Sequence, residues 1–446
     1  MKSRVLPYAL AAFLAVPAHA QQSQTLSLTV EQAVQIGLEN SKMLRQSAGK
    51  VQYADARAAE ANASALPSIK ANGIYTHVSN VPPFSFEFPP AAVAVGFPAS
   101  LVITPAILDN YYARVGVQHP LFTGFRLDAT KEIAARTVDA STQDFARDRS
   151  DLIYNIKTAY WLLFRARELK KLADENVEQI TAHLNDVKNL EEQGLATTND
   201  RLAAEVQLSN GRLGQVDADN GVRLALVSLD NTLGIPLSND ITIASTISES
   251  ERQFPSIDTL VETGLEARPE IRGMDARVKA GEAGVTAAKA GWWPQINLTA
   301  NYIYANPNQR LLPAQSIWKD TWDVGVGVSL DIWNWGTTVH QTDQAQALLA
   351  QTREAYGQVR DGVTLDITQA YLSLKQARER LAVAKGAVAL AEENHRVTTQ
   401  RYKEGLVLNS DMILALYGLT TAKNTYTEAL VEFELAQARM AKAVGE

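Results

Sequence analysis

The sequence predicts an α+β fold in which a unit of strand, strand, long helix and long helix is used twice in tandem. Three observations predict it: where proline is missing, where a two-residue alternation replaces a helical one, and how the chain matches itself. None of the sixteen prolines lies between Leu121 and Ile235, or between Ala314 and Glu446. Proline removes a helix hydrogen bond and clashes with the preceding turn, so these stretches permit long helices. Their apolar residues keep a coiled-coil step: Ala173, Val177, Ile180, Leu184 and Val187 are spaced by 4, 3, 4 and 3, and Tyr426, Leu430 and Phe433 by 4 and 3. Read as single helices, Gly124–Glu192 and Gly336–Glu404 have 69 residues each and span about 100 Å. A second helix follows each, over about 198–233 and 409–444. Elements of that length suit a bridge across a compartment better than a compact core.

The internal match is extensive. At an offset of 227, Gly37-Leu38-Glu39 falls on Gly264-Leu265-Glu266, Pro67 on Pro294 and Tyr75 on Tyr302. At an offset of 211, Val115-Gly116-Val117 falls on Val326-Gly327-Val328, Gly194-Leu195 on Gly405-Leu406, Asp200 on Asp411 and Gly234 on Gly445. The first copy occupies 21–234 and the second 257–446, with 235–256 as a linker. Gly124 misses Gly336 by one residue, which predicts a local difference where the two long helices begin. The two offsets differ because the loop after the first strand is longer in the first copy. Six prolines crowd that loop, Val81–Asn110, and no helical period runs through it.

Strands are expected at about 67–79, 111–122, 294–305 and 321–333. In the second copy Ile296, Leu298, Ala300, Tyr302 and Tyr304 alternate with Gln295, Asn297, Thr299 and Asn301. Trp322, Val324, Val326, Val328, Leu330 and Ile332 likewise alternate with Asp323, Gly325, Gly327, Ser329 and Asp331. Segments of roughly ten residues with this pattern mark a membrane barrel, although a half-buried soluble sheet alternates in the same way. Tryptophan separates the two readings. Six of the seven lie in the 44 residues from Trp292 to Trp335, near the strand ends, where amphipathic rings gather at the boundary of hydrocarbon and headgroups. Trp292, Trp293, Trp322, Trp333 and Trp335 form the expected aromatic girdle. Four strands cannot close a barrel and an open edge cannot be left in lipid, so the chain must oligomerise. Two, three or four copies would each satisfy that requirement.

Residues 1–20 have the form of a cleaved signal peptide: Lys2 and Arg4, an apolar core from Ala9 to Val16, and Ala18-His19-Ala20 before Gln21. No Cys follows the cleavage site, so no lipid anchor is expected there. The net charge of −7 becomes −9 once Lys2 and Arg4 leave with the signal, which argues against a nucleic-acid partner. The uncharged run Phe88–Leu108 is long enough to span a bilayer, but Pro89, Pro90, Pro98 and Pro105 interrupt it, so no transmembrane helix is expected. His77 and His119 fall on strands, and His183 and His395 on helix faces where a solvated or lumen-facing ring is expected. No H-x-x-x-H, nucleophile elbow or phosphate loop occurs. No enzyme activity, metal or cofactor is expected.

The order of elements resembles the TolC family of outer-membrane channel proteins. The shared features are a helix ending at Leu66-Pro67 or Trp293-Pro294, a strand pair, the strand-end pattern Gln118-His119-Pro120-Leu121-Phe122-Thr123-Gly124, a long helix, a Gly-Leu turn, and Asp six residues after that Gly. The resemblance covers the whole mature chain. It implies a homotrimer in the outer membrane of a Gram-negative bacterium, with a twelve-stranded β-barrel in outer-membrane lipid continuous with a periplasmic α-helical barrel. It also implies a passive duct of a tripartite efflux pump or type I secretion system, coupled to a periplasmic adaptor (membrane fusion protein) and an inner-membrane transporter of the RND, ABC or MFS class. The rival reading, a periplasmic coiled-coil adaptor, would carry one helical hairpin and not two copies each with its own strands.

The resemblance assigns the helical turns to the periplasmic tip. Gly194, Leu195, Gly405 and Leu406 look like the adaptor-docking tip. Tyr402 looks like the family's gate tyrosine, Asp200 like its partner, and Asp411 like the first of two aspartates ringing the constriction. Two positions depart from the family: Val407 stands where it has a tip arginine, and Leu414 where it has the second aspartate. Asp200 and Asp411 also suit simple capping of the returning helices.

Overall fold

A computed structural model describes residues 25–80, 82–104, 106–237, 240–245 and 255–446; the expected signal peptide lies outside them. The first copy runs β1 (Thr25–Leu28), α1 (Val30–Asn40), α2 (Lys42–Ala63), β2 (Ser68–His77), β3 (Phe84–Glu87), α3 (Pro90–Ala94), β4 (Ser100–Thr104), β5 (Asp109–Thr123), α4 (Arg126–Glu192) and α5 (Thr198–Leu233). After β6 (Asp240–Ile243), the second runs α6 (Ile257–Ala267), α7 (Pro269–Ala288), a 3-10 turn (Lys289–Trp292), β7 (Gln295–Asn306), β8 (Lys319–Ser329), α8 (Thr337–Lys403) and α9 (Asn409–Ala443). Both α4 and α8 have 67 residues. No helix among the described residues is long and apolar enough to cross a membrane.

Two compact units form, and neither coincides with a repeat. One draws on the chain up to residue 41, on 152–252 and on 373–439; the other draws on 42–151, 253–372 and 440–446. Each therefore takes segments from both copies.

In the first unit the heptad residues are core. Ile180, Leu184 and Val187 pack with Ala204, Leu208 and Leu416, while Leu430 and Tyr426 flank a cluster that contains Phe433. Tyr160 is fully buried and donates its hydroxyl to the Leu28 carbonyl at 2.8 Å. The Tyr160 hydroxyl oxygen also accepts the Ser245 N–H at 3.2 Å, tying down the chain beside the parallel β1–β6 pair. The expected linker therefore carries a strand, because β1 offers its backbone an edge to pair with.

In the second unit β2, β5, β7 and β8 form one antiparallel sheet in that order. β2 and β8 are its open edges. Pro120 is accommodated inside β5 because the register shifts between Pro120 and Phe122, a bulge that spares the ladder a missing donor. β8 stops at Ser329, four residues short of expectation, and Leu330 and Ile332 leave the alternation. The chain turns there to start α8: the Asn334 carbonyl accepts the Thr337 N–H, and its amide donates to the Thr338 hydroxyl. The expected loop 81–110 also differs, since β3 and β4 pair around α3. Its prolines prevent long elements without preventing short ones.

The repeat is more regular in space than in sequence. Gly124 and Phe125 have φ of 63° and 68°, and Trp335 and Gly336 have φ of 55° and 78°. Both long helices thus begin with two left-handed residues, and the glycine has merely exchanged places. The local difference expected from the misaligned glycines is one of side chain and not of backbone.

Candidate functional site

The tip is built from two matched turns. α4 ends as Gly194 turns left-handed at φ 70°, with Gly194 N–H on the Glu191 carbonyl at 2.9 Å and Leu195 N–H on the Leu190 carbonyl at 2.8 Å. α8 ends identically through Gly405 at φ 72°, with bonds to the Tyr402 carbonyl at 3.0 Å and, from Leu406, to Arg401 at 2.9 Å. Both glycines are therefore helix stops of the doubly bonded left-handed type. That motif commonly folds its next apolar residue back onto the helix, yet Leu195 and Leu406 remain 72% and 68% exposed.

The first returning helix, α5, starts with a capping box. The Asp200 carboxylate accepts from the Thr197 N–H at 3.0 Å and its hydroxyl at 2.7 Å. Those bonds hold the Asp200 carboxyl below the usual aspartate range. Asp411 accepts from the Leu408 N–H at 3.1 Å. Leu408 replaces Thr197 in the second copy, so only half of that box remains.

Tyr402 lies against the apolar cluster of Ile180, Leu184 and Val187, its ring 5.2 Å from that of His183. Burial first, then the charges of Asp200 and Asp186, push its phenol above the ordinary tyrosine value. Asp200 and Tyr402 are close enough to interact electrostatically. Among the described residues they share no hydrogen bond, because Thr197 engages the carboxylate.

Asn409 makes the connection that the sequence did not reveal. It is buried, faces His183 Nε2 through its Oδ1 at 2.7 Å, and donates to the Asp200 carbonyl at 3.2 Å. One amide thus links α4 and the start of α5 to the start of α9. The signal was the substitution itself: a second-copy helix that lacks a Thr cap but carries Asn next to it. His183 is buried and not solvated, as its bond to Asn409 requires, and His395 is partly buried, with desolvation lowering its pKa. Beside Asn409 a cavity of about 480 Å³ is lined by Ala203, Gln207, Leu408, Ile413, Leu414 and Tyr417.

The sheet has one apolar and one polar face. In register, Ile69, Val117, Ala300 and Val324 share the first; Lys70, Gly116, Asn301 and Asp323 share the second. Aromatic rings collect at both ends. Tyr75, Tyr111, Trp318 and Tyr304 form a chain with centroid separations of 5.1, 5.5 and 4.9 Å at the loop end, where Trp322 also lies. Phe122, Phe125 and Trp293 cluster at the helix end, where Trp292, Trp333 and Trp335 are also found and are all exposed. Trp293 and Tyr304 are eleven residues apart, roughly 37 Å of strand. At a tilt of about 40° this gives a height of roughly 28 Å, near the apolar band of an outer-membrane barrel.

The sequence profile of outer membrane efflux proteins matches residues 33–235 and 260–446. The chain belongs to the outer membrane efflux protein family. It is similar to the outer membrane efflux protein BepC of Brucella suis, with 24% identity over 347 residues, 76% of this chain and 74% of the relative. It is also similar to the toluene efflux pump outer membrane protein TtgC of Pseudomonas putida, with 22% identity over 409 residues, 92% and 80% of the two chains. Its fold matches a crystal structure of CusC with a TM-score of 0.80 at 17% identity, covering 98% of this chain and 99% of that one. The protein is an outer-membrane efflux channel of the TolC-like type.

Proposed function

We propose that three copies close their sheets edge to edge into a twelve-stranded barrel in outer-membrane lipid, continued by a periplasmic barrel of helices. The chain would then serve as the passive export duct of a tripartite efflux pump or type I secretion system. The open four-stranded sheet carries this reading. Its outer face is apolar between two aromatic belts, and its β2 and β8 edges are unpaired, which lipid does not tolerate. Apolar residues facing outward and polar ones inward fit a water-filled bore.

The tip would be shut at rest by Asp200, Tyr402 and Asp411, and opened when a periplasmic adaptor and an inner-membrane RND, ABC or MFS transporter engage it. Leu195 and Leu406 support docking at Gly194-Leu195 and Gly405-Leu406, because two matched turns each leave an apolar side chain in water. Fractionation and native mass measurement test the assembly: a heat-labile trimer in outer membranes is expected, and a soluble periplasmic monomer would refute it. For docking, Leu195→Asp with Leu406→Asp should abolish adaptor crosslinking while the trimer persists; retained crosslinking would count against it.

A further inference from the structure

The polar face of the sheet carries charge of one predominant sign. β2 supplies Lys70 and β5 supplies Arg114, while β8 supplies Lys319 and Asp323; the polar-face positions of β7 are uncharged. Arg310, from the turn between β7 and β8, joins them by reaching Asp323 at 2.6 Å. That makes four cations against one carboxylate, in a chain whose mature net charge is −9. Among the described residues none of Lys70, Arg114 and Lys319 pairs with a carboxylate.

The arrangement is fixed. Arg114 donates Nε and a terminal N–H to Asn301 Oδ1 at 2.8 and 2.5 Å, and Asn301 passes a bond of 2.7 Å to Asp323. Gly116 makes room for this fold: a Cβ there would stand 2.9 Å from Asn301 Oδ1 and 3.4 Å from Arg114 Nε. A side chain on Gly116 would thus push away the Asn301 amide that holds the guanidinium. Gly325 and Gly327 leave the neighbouring wall bare. Lys70 is exposed and shares the row of Gly116, Asn301 and Asp323, about halfway along the sheet.

We propose that Lys70, Arg114, Lys319 and Arg310 form a cationic belt in the bore that favours passage of solutes bearing anionic groups, carboxylate or phosphate. The inference rests on the trimeric barrel proposed above. Twelve strands about 4.8 Å apart and tilted about 40° enclose a bore of roughly 24 Å between backbones, narrowed by side chains on every wall. The Debye length is about 8 Å at physiological salt, so the fields of opposite walls overlap along the axis. Asn301, a neutral acceptor, holds Arg114, whereas a carboxylate in its place would have both held the guanidinium and offset its charge.

The test uses the full-length trimer in planar bilayers under a tenfold KCl gradient, with the reversal potential as readout. Because the tip carboxylates of Asp200 and Asp411 add their own selectivity, variants are compared with the native chain. Lys70→Glu should lower the chloride-to-potassium permeability ratio about threefold, and Lys70→Gln by less. Lys70 is exposed, so folding is not at stake in these two variants; Arg114→Gln should act in the same direction. At 1 M salt, where the Debye length is about 3 Å, the differences should shrink. An unchanged ratio in Lys70→Glu, or a shift indifferent to salt, would overturn the belt. Where the shut tip silences the native trimer, the comparison is made on an Asp200→Ala background; a trimer of that background that conducts nothing would instead refute the channel reading beneath it.

Discussion

Gly264 and its repeat partner Gly37 allow a test of how tightly each copy packs within itself. A Cβ on Gly264 would stand 2.4 Å from Ile367 Cδ1 and 3.5 Å from Ile367 Cγ1; on Gly37 it would meet Ile156 Cδ1 at 2.3 Å and Cγ1 at 3.1 Å. Carbon atoms pack at about 3.5–4.0 Å, so each methyl overlaps its isoleucine by more than an ångström. Both isoleucines are fully buried and have little room to retreat. Overpacking costs about 1–3 kcal/mol, against which replacing a helical glycine with alanine returns about 0.5–1 kcal/mol. Gly264→Ala should therefore destabilise by about 1–2 kcal/mol. Ile367→Val deletes Cδ1 and alone costs about 1 kcal/mol, but combined with Gly264→Ala it removes the severe overlap and leaves the new methyl 3.3 Å from the Ala443 carbonyl and 3.5 Å from Cγ1. The double variant should recover most of the loss. Ile156→Val should rescue Gly37→Ala only in part, because Cγ1 still crowds the methyl. Urea unfolding of the four chains of each cycle, midpoint and slope together, gives the free energies. Equal stability of Gly264→Ala and native chain, or identical rescue at both sites, would refute the packing argument.

Other substitutions address the tip and one buried ion cluster. Asn409→Leu strips both hydrogen bonds and leaves buried His183 without its partner, a loss of about 1–3 kcal/mol; hydrogen exchange in the first turns of α5 and α9 should accelerate, and unaltered protection would argue against the link. Asp200→Ala removes a capping box worth about 1 kcal/mol and should raise single-channel conductance. Tyr402→Phe alone should change it little, since the hydroxyl forms no bond to Asp200; the reverse ranking would restore a direct gate bond. Arg268 binds Glu270 at 2.8 Å, Asp366 at 2.8 Å and the Ala443 carbonyl at 3.3 Å. Burial would raise Glu270's pKa, but the guanidinium outweighs it and the net shift is downward. That stabilisation is present above the unfolded glutamate pKa and disappears as pH falls through the lower folded value. Arg268→Ala should cost about 3 kcal/mol at neutral pH, with the gap narrowing in acid as Glu270 is protonated; a gap independent of pH would contradict the assignment.

The long helices were legible because their physics is local. Proline-free stretches and the step from Val177 to Val187 need no knowledge of partners, and Thr198–Leu233 was found with both ends in place. The turns at Gly194 and Gly405 were legible for the same reason, since a left-handed stop favours one residue type. The aromatic clusters at the two ends of the sheet were half legible. Tryptophan clusters mark strand ends, but Tyr75, Tyr111, Trp318 and Tyr304 become one group only when three strands and the β7–β8 turn are in register. Asn409 and His183, 226 residues apart, could not be paired by reading along the chain.

The sequence by itself determined the duplication, the strands, the helices and the sites of the turns, because periodicity, proline and glycine act over a few residues. Only the tertiary structure decided which groups those elements bring together. It gave Asp200 to Thr197 and Asn409 to His183, set Arg114 against Asn301, and showed that Gly124-Phe125 and Trp335-Gly336 follow one backbone path. Such pairings depend on register and packing between segments far apart in the chain, and no local pattern encodes them.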